Sequence, residues 1–209
     1  LLTTNGVLLH DNLAELCDAG VRRINLSLDS LDRSTYQQVT RRDAVDSVLP
    51  LLDAIPRAGM QLKVNMVILP GINDHEIPDF ARLAMERDIQ VRFIEPMPFD
   101  GSGSVSPFDG DRIMARLSEA GHFVTASNGR DGVADMYHAE GWRGTVGIIR
   151  GHTRTFCGNC SRLRIDTRGG LRTCLYGEAE ADLRTQLRNG SHDTDIVQAI
   201  QSAVARRNV

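Results

Sequence analysis

Along residues 1 to about 97 one rhythm repeats: a short apolar run ends in a polar turn, and an amphipathic stretch follows. Residues 1–4 read as the end of a strand. Residues 10–19 read as a helix, with Leu13, Leu16 and Cys17 on one face and Gly20 as its stop. Residues 22–28 alternate Ile24, Leu26 and Leu28 with polar positions, which predicts a strand. Residues 43–58 predict a helix striped by Val45, Val48, Leu49, Leu52 and Ile55, with Pro50 and Pro56 working against its regularity. Residues 62–69 are nearly continuously apolar, as a strand covered on both faces would be. Asn73, with Glu76 three residues on, reads as a capping box opening a helix to about residue 87. Residues 90–94 form the fourth strand. Strands alternating with helices at this spacing imply βαβ units and a parallel sheet, either doubly wound or an arc of a barrel.

Near residue 100 the pattern changes. Residues 100–104 (Asp-Gly-Ser-Gly-Ser) read as a loop, and Asp109 caps a helix to about residue 120. Residues 122–174 read as short strands and turns, among them 145–149, 162–165 and 170–173, with Arg168-Gly169-Gly170 as a hairpin signal. Helices at 180–188 and 193–207 close the chain. The expected organisation is α/β: a domain over residues 1–100 and a second, α+β, over 101–209.

In parallel α/β sheets ligands meet the carboxyl ends of the strands. Thr3, Thr4 and Asn5 fall there after the first strand, Ser27 and Asp29 after the second, and Glu95 after the fourth. Lys63 and Asn65 lie within the third strand, on one side of it. A lone buried ammonium is costly, which singles out Lys63. Asn25 and Asn65 are expected to satisfy neighbouring backbone groups.

The 209 residues, 41% hydrophobic and 24% charged, suit a globular chain with a sizeable core. No apolar run approaches the ~20 residues of a membrane helix, and no membrane partner is expected. A net charge of -3 with 5% aromatic residues disfavours a nucleic-acid binder. The four cysteines, with no signal peptide in view, suggest a reducing compartment such as the cytoplasm, where thiols bind metal more often than they pair. Cys157, Cys160 and Cys174 stand as C-x2-C-x13-C, a spacing that holds zinc or an iron–sulfur cluster. Arg162 and Arg164 follow at i and i+2, so that on a strand they form one anion clamp.

These segments resemble the GTP 3',8-cyclases, radical S-adenosylmethionine enzymes of molybdenum cofactor biosynthesis. The likeness runs through Leu2-Thr3-Thr4-Asn5-Gly6, residues 22–29, Lys63-Val64-Asn65, Gly71-Ile72-Asn73-Asp74, Arg92 to Glu95 with Met97, and residues 156–164. It implies a partial (β/α) radical-SAM barrel followed by a domain carrying an auxiliary [4Fe–4S] cluster on Cys157, Cys160 and Cys174. It implies GTP contacts at Thr3, Lys63, Arg92, Arg162, Leu163 and Arg164, and S-adenosyl-L-methionine contacts at Ser27 and Met97. The implied reaction converts GTP to (8S)-3',8-cyclo-7,8-dihydroguanosine 5'-triphosphate, for a downstream pterin-forming enzyme; a homodimer is a further expectation.

The family's C-x3-C-x2-C motif, which holds the cluster that cleaves S-adenosylmethionine, does not stand in this sequence; nor does its closing Gly-Gly pair. A second [4Fe–4S] cluster is therefore expected only in a longer protein, of which this chain is a fragment. Alternatives are another radical-SAM enzyme with an auxiliary cluster, against which the arginine pair argues, and a zinc-stabilised binding module. The 209-residue chain by itself is expected to turn over no GTP. An anaerobic assay of the isolated chain checks this, and product formation would refute it.

Overall fold

The computed structural model describes residues 1–97, 108–151, 162–175 and 177–206; of residues 127–131 only the backbone is described. The chain divides into two compact units, Leu1–Thr155 and Phe156–Val209.

The first unit alternates strands and helices: β1 (Leu2–Thr4), α1 (Leu9–Asp18), β2 (Arg23–Ser27), α2 (Arg33–Thr40), α3 (Val45–Val48), α4 (Leu51–Arg57), β3 (Gln61–Val67), α5 (Ile77–Glu86) and β4 (Gln90–Ile94). Then come α6 (Gly110–Leu117), β5 (Phe123–Asp131), β6 (Ala134–Ala139) and β7 (Thr145–Ile149). All seven strands join one sheet in the order β1-β2-β3-β4-β7-β6-β5. Strands β1 to β4 and β7 run parallel, and β6 and β5 return antiparallel. The parallel βα pattern is as expected, and the unreversed order of β1 to β4 is singly wound. The compact unit extends well past residue 100, because β5 to β7 add their hydrogen bonds to the same sheet edge.

One face of this sheet is packed against the helices. Ile24, Leu26 and Leu28, then Leu62, Val64, Met66 and Ile68, then Val91 and Phe93, then Val146 and Ile148 are buried against the helices. The residues between them point the other way. Strand β3 is thus not covered on both faces; its alternate positions Gln61, Lys63 and Asn65 face a polar side.

Two elements differ from the sequence pattern. The stretch 43–58 is two helices because Pro50 has no N–H to give and sits as the N-cap of α4. Helix α2 has no apolar stripe to announce it. It starts because Asp32 accepts a hydrogen bond from Thr35 N at 2.8 Å; the Ser34 hydroxyl first, and then this bond, hold its carboxyl down at about 2, and the helix buries only Tyr36.

Asn73 and Glu76 do not form a capping box. Asn73 is fully buried and ties the ends of β2 and β3 together. Its Oδ1 accepts from Leu69 N at 2.7 Å, and its Nδ2 donates to Asp29 O at 2.7 Å and Val67 O at 2.9 Å. Buried Glu76 accepts from Ser30 Oγ and from Leu31 N, both at 2.7 Å. Asp29 accepts from Val67 N at 2.8 Å, the N–H that the ladder leaves free. Together these side chains replace the backbone partners lost where β2 and β3 end.

The second unit is a three-stranded antiparallel sheet with two helices: β8 (Arg164–Ile165), β9 (Gly170–Arg172), β10 (Ala181–Asp182), α7 (Leu183–Arg188) and α8 (Asp193–Ala205). Leu171, Leu183 and Ala203 form its small core. The turn at 166–170 is as expected: Asp166 Oδ1 accepts from Arg168 N and Gly170 N, both at 2.9 Å, and these bonds lower its carboxyl pKa.

Asn73→Ala should lower the unfolding free energy by about 3 kcal/mol, since it strands one N–H and two carbonyls. Burial raises the Asp29 pKa above 3.8, more than the Val67 bond lowers it. Its ionised form is therefore disfavoured in the fold, and stability falls as pH rises from 3.8 through the raised value. Asp29→Asn keeps an acceptor without the charge and is expected to be no less stable than the parent at pH 7, with the difference vanishing below about pH 4. Urea midpoints against pH measure both effects; a loss of more than about 1 kcal/mol for Asp29→Asn at pH 7 would contradict the second.

Candidate functional site

The polar face of the first unit is built by register. One row runs Thr3, Asn25, Lys63, Gln90, Thr145 across β1, β2, β3, β4 and β7. The next row toward the carboxyl ends runs Ser27, Asn65, Arg92, Gly147, Met136. Neighbours in a row stand ~4.8 Å apart along the hydrogen-bonding direction. Thr3, Ser27, Lys63 and Arg92 therefore share one surface, two of them cationic. A polar face on a sheet whose other face is fully apolar is what a ligand-lined interior requires.

Arg92 is the deepest of these, 6% exposed. Its Nε donates to Gln90 Oε1 at 2.6 Å, which fixes the guanidinium along its own strand. Gly147 beside it makes the space: a Cβ there would stand 2.9 Å from Met136 Sδ and 3.5 Å from Arg92 Cγ. Asn25 Nδ2 donates to Thr3 Oγ1 at 3.3 Å. The carboxamide oxygens of Asn25 and Asn65 are buried and accept no hydrogen bond. They do not satisfy neighbouring backbone, contrary to expectation, because the ladder already pairs the backbone around them. The signal for them was present in the sequence as polar residues two apart in otherwise apolar strands.

At the carboxyl ends the candidates separate by role. Thr4 Oγ1 accepts from Gly6 N at 3.0 Å and Asn5 Oδ1 from Val7 N at 3.2 Å, so both shape the turn after β1. Gly6 is required there: its φ is +80°, and a Cβ would press on Leu26 at 2.6 Å. Glu95 is wholly buried and accepts from Gly110 N at 2.6 Å, which anchors the start of α6. Met97, half-buried, lies over Gly151, where a Cβ would come within 2.8 Å of its Cγ.

In the second unit Arg162 and Leu163 are exposed, and Arg164 is half-buried on β8 opposite Arg172. Arg172 is taken up by Asp166 at 3.3 Å and by Gly177 O at 2.8 Å. Cys174 is a free, half-buried thiol two residues past β9. Cys157 and Cys160 lie outside the described residues.

Comparison with known proteins decides the family. The profile described as Molybdenum Cofactor Synthesis C matches residues 89–209, and that of the Radical SAM superfamily matches residues 1–84. The chain belongs to the molybdenum cofactor synthesis family. The chain is 39% identical over 215 residues to the GTP 3',8-cyclase of Rhodopirellula baltica, covering 99% of the chain and 60% of that protein. It is 41% identical over 211 residues to the GTP 3',8-cyclase of Heliobacterium modesticaldum, covering 97% of the chain and 64% of that protein. It is 35% identical to the molybdenum cofactor biosynthesis protein 1 of Dictyostelium discoideum, covering 99% of the chain and 34% of that protein. The chain thus spans about 60% of the bacterial relatives' length. Among the described residues, no helix of this family member is long and apolar enough to cross a membrane.

The rows predict a specific effect of filling the gap beside Arg92. Gly147→Val should push Arg92 or Met136 out of place and weaken binding of inorganic triphosphate at least about tenfold, with only a few degrees lost in Tm. Isothermal titration with triphosphate at two salt concentrations checks this. Unchanged affinity would show that Arg92 does not face the anion.

Proposed function

We propose that this chain forms the larger part of a GTP 3',8-cyclase, which converts GTP to (8S)-3',8-cyclo-7,8-dihydroguanosine 5'-triphosphate. The observation that carries the reading is the hairpin register. Arg164 pairs with Arg172, the last residue of β9, and Cys174 follows two residues beyond that pair. In sequence Cys160 stands four residues before Arg164, the residue that opens the other arm of the same hairpin. A free thiol at that end fits a set of three thiolates, Cys157, Cys160 and Cys174. Cys157, Cys160 and Cys174 would hold a [4Fe–4S] cluster, which would offer an iron to the guanine base.

Arg162 and Arg164 lie in the same short stretch, and their guanidiniums suit bidentate bonds to phosphate. Lys63 and Arg92 supply positive charge on the polar face of the sheet. Thr3 offers a hydroxyl in the row of Lys63, and the resemblance gives Leu163 a contact between the two arginines. Ser27 and Met97, at the carboxyl end of β2 and beyond β4, are the proposed contacts to S-adenosyl-L-methionine. The one-sided sheet supports an arc of a (β/α) barrel, its polar rows turned inward. A second [4Fe–4S] cluster on cysteines outside this sequence is part of the proposal, as is a separate pterin-forming enzyme that uses the product. The chemistry of a radical acting on a bound nucleotide asks for rigid placement and excluded water, and strand-borne residues give the first.

Iron and zinc analysis after anaerobic reconstitution tests the proposal. The chain should take up about four irons, and Cys174→Ser should lose most of them while keeping its far-ultraviolet circular dichroism. One zinc per chain and no iron would overturn the cluster assignment and favour a structural metal site.

A further inference from the structure

We infer that Arg172, held by Asp166, is a positioning residue for Cys174: it fixes the turn that presents this thiol to the metal group proposed on Cys157, Cys160 and Cys174. The inference rests on that three-thiolate site and deepens it. Cys174 stands beyond the end of β9, where the ladder no longer holds the chain. The excursion that carries it is closed at its base by Glu180 N, which donates to Leu171 O at 2.8 Å. Just inside that closure the buried Thr173 hydroxyl donates to the Glu180 carboxylate. Nearer the thiol the tie is Arg172. Its Nη1 donates to Gly177 O at 2.8 Å. Gly177 in turn lies against the cysteine, for a Cβ there would stand 3.5 Å from Cys174 Cβ. One guanidinium thus joins the residue two before Cys174 to the residue three after it.

Arg172 is itself fixed from the far end of the hairpin. Asp166 Oδ2 accepts from its Nε at 3.3 Å, while Asp166 Oδ1 accepts from Arg168 N and Gly170 N. The carboxylate that shapes the hairpin turn therefore also aims the guanidinium. A hairpin by itself has no need of this arrangement. The β8–β9 register sets Arg172 opposite Arg164, and like charges directly opposed are destabilising. The two arginines differ in what holds them. Arg172 has a carboxylate and a carbonyl, whereas Arg164 has no carboxylate partner among the described residues. That division suits a guanidinium used as scaffold beside one left for an anion. The groups behind a metal ligand set its orientation, and losing one typically costs ~10–100-fold in metal affinity.

The rate at which the anaerobically reconstituted 209-residue chain gives up metal to excess chelator reads the placement of Cys174. Arg172→Met keeps the aliphatic stem and removes the donors. It should lose metal at least about tenfold faster than the parent. Arg172→Lys keeps a charged donor and should stay within about threefold of the parent. Asp166→Asn keeps an acceptor for the turn but weakens the hold on Arg172, so its rate should fall between these two. Asp182→Ala is the control. Asp182 is the N-cap of α7, and its side chain accepts from Thr185 N at 2.9 Å and from the Thr185 hydroxyl at 2.6 Å. Its loss should lower the Tm while metal leaves at the parent's rate.

Equal rates for Arg172→Met and the parent would overturn the inference. So would release from Asp182→Ala as fast as from Arg172→Met, since Arg172 would then be only a stabiliser of the unit. Should Arg172→Met not fold, Asp166→Asn against Asp182→Ala makes the same comparison. The identity of the metal in the parent judges the underlying reading separately. Zinc in place of iron defeats the cluster assignment, and the ratios of zinc release still decide the role of Arg172.

Discussion

Everything in the first unit depends on a sheet whose two faces obey opposite rules. One face carries Ile24, Leu26, Val64, Met66, Val91, Phe93 and Ile148, sealed under helices. The other carries Thr3, Asn25, Ser27, Lys63, Asn65 and Arg92. Because side chains alternate with a period of two, a slip of one residue in any strand would move its apolar set into the polar side. The hydrophobic face thereby sets the register, and the register sets which functional groups are neighbours. Packing on one side positions chemistry on the other, although no polar residue need touch the core.

The carboxyl edge of the sheet needs a further device, because strands that stop leave N–H and C=O groups without ladder partners. Asn73, Glu76, Asp29 and Ser30 supply the partners. These side chains form a polar brace directly beneath the loop that follows Ser27. Glu95 does the same for α6 after β4. Buried polar groups of this kind are costly unless fully bonded, so the edge has little freedom to drift. A rigid edge is what a site at the carboxyl ends of strands requires.

The fold and the site were legible to different depths. Strand β2 was plain from alternation, β3 from an apolar run that looked covered on both faces, and the hairpin at 166–170 from its glycines. Helix α2 was hidden because it buries only Tyr36 and depends on a cap instead of a stripe. The roles of Asn73 and Glu76 were hidden because a capping box and a strand-end brace need the same residue types at the same spacing. Lys63 stood out as a cation in an apolar run. Asn25 and Asn65 were visible as polar positions in apolar strands, but their partners were not, because those are set by tertiary neighbours that spacing does not encode. The extent of the first unit was obscured because β5 to β7 look like a change of architecture, yet they extend the sheet through β4. The cysteine spacing left zinc and iron–sulfur equally open, and only the family likeness favoured one.

The central claim is that this chain holds the guanine nucleotide at an iron–sulfur cluster ligated by Cys157, Cys160 and Cys174. Its most direct test is the electron paramagnetic resonance spectrum of that cluster, recorded anaerobically while nucleotide is added. GTP should change the spectrum in a saturable way and ATP should not. A spectrum indifferent to GTP, or one that answers equally to both nucleotides, would contradict the account.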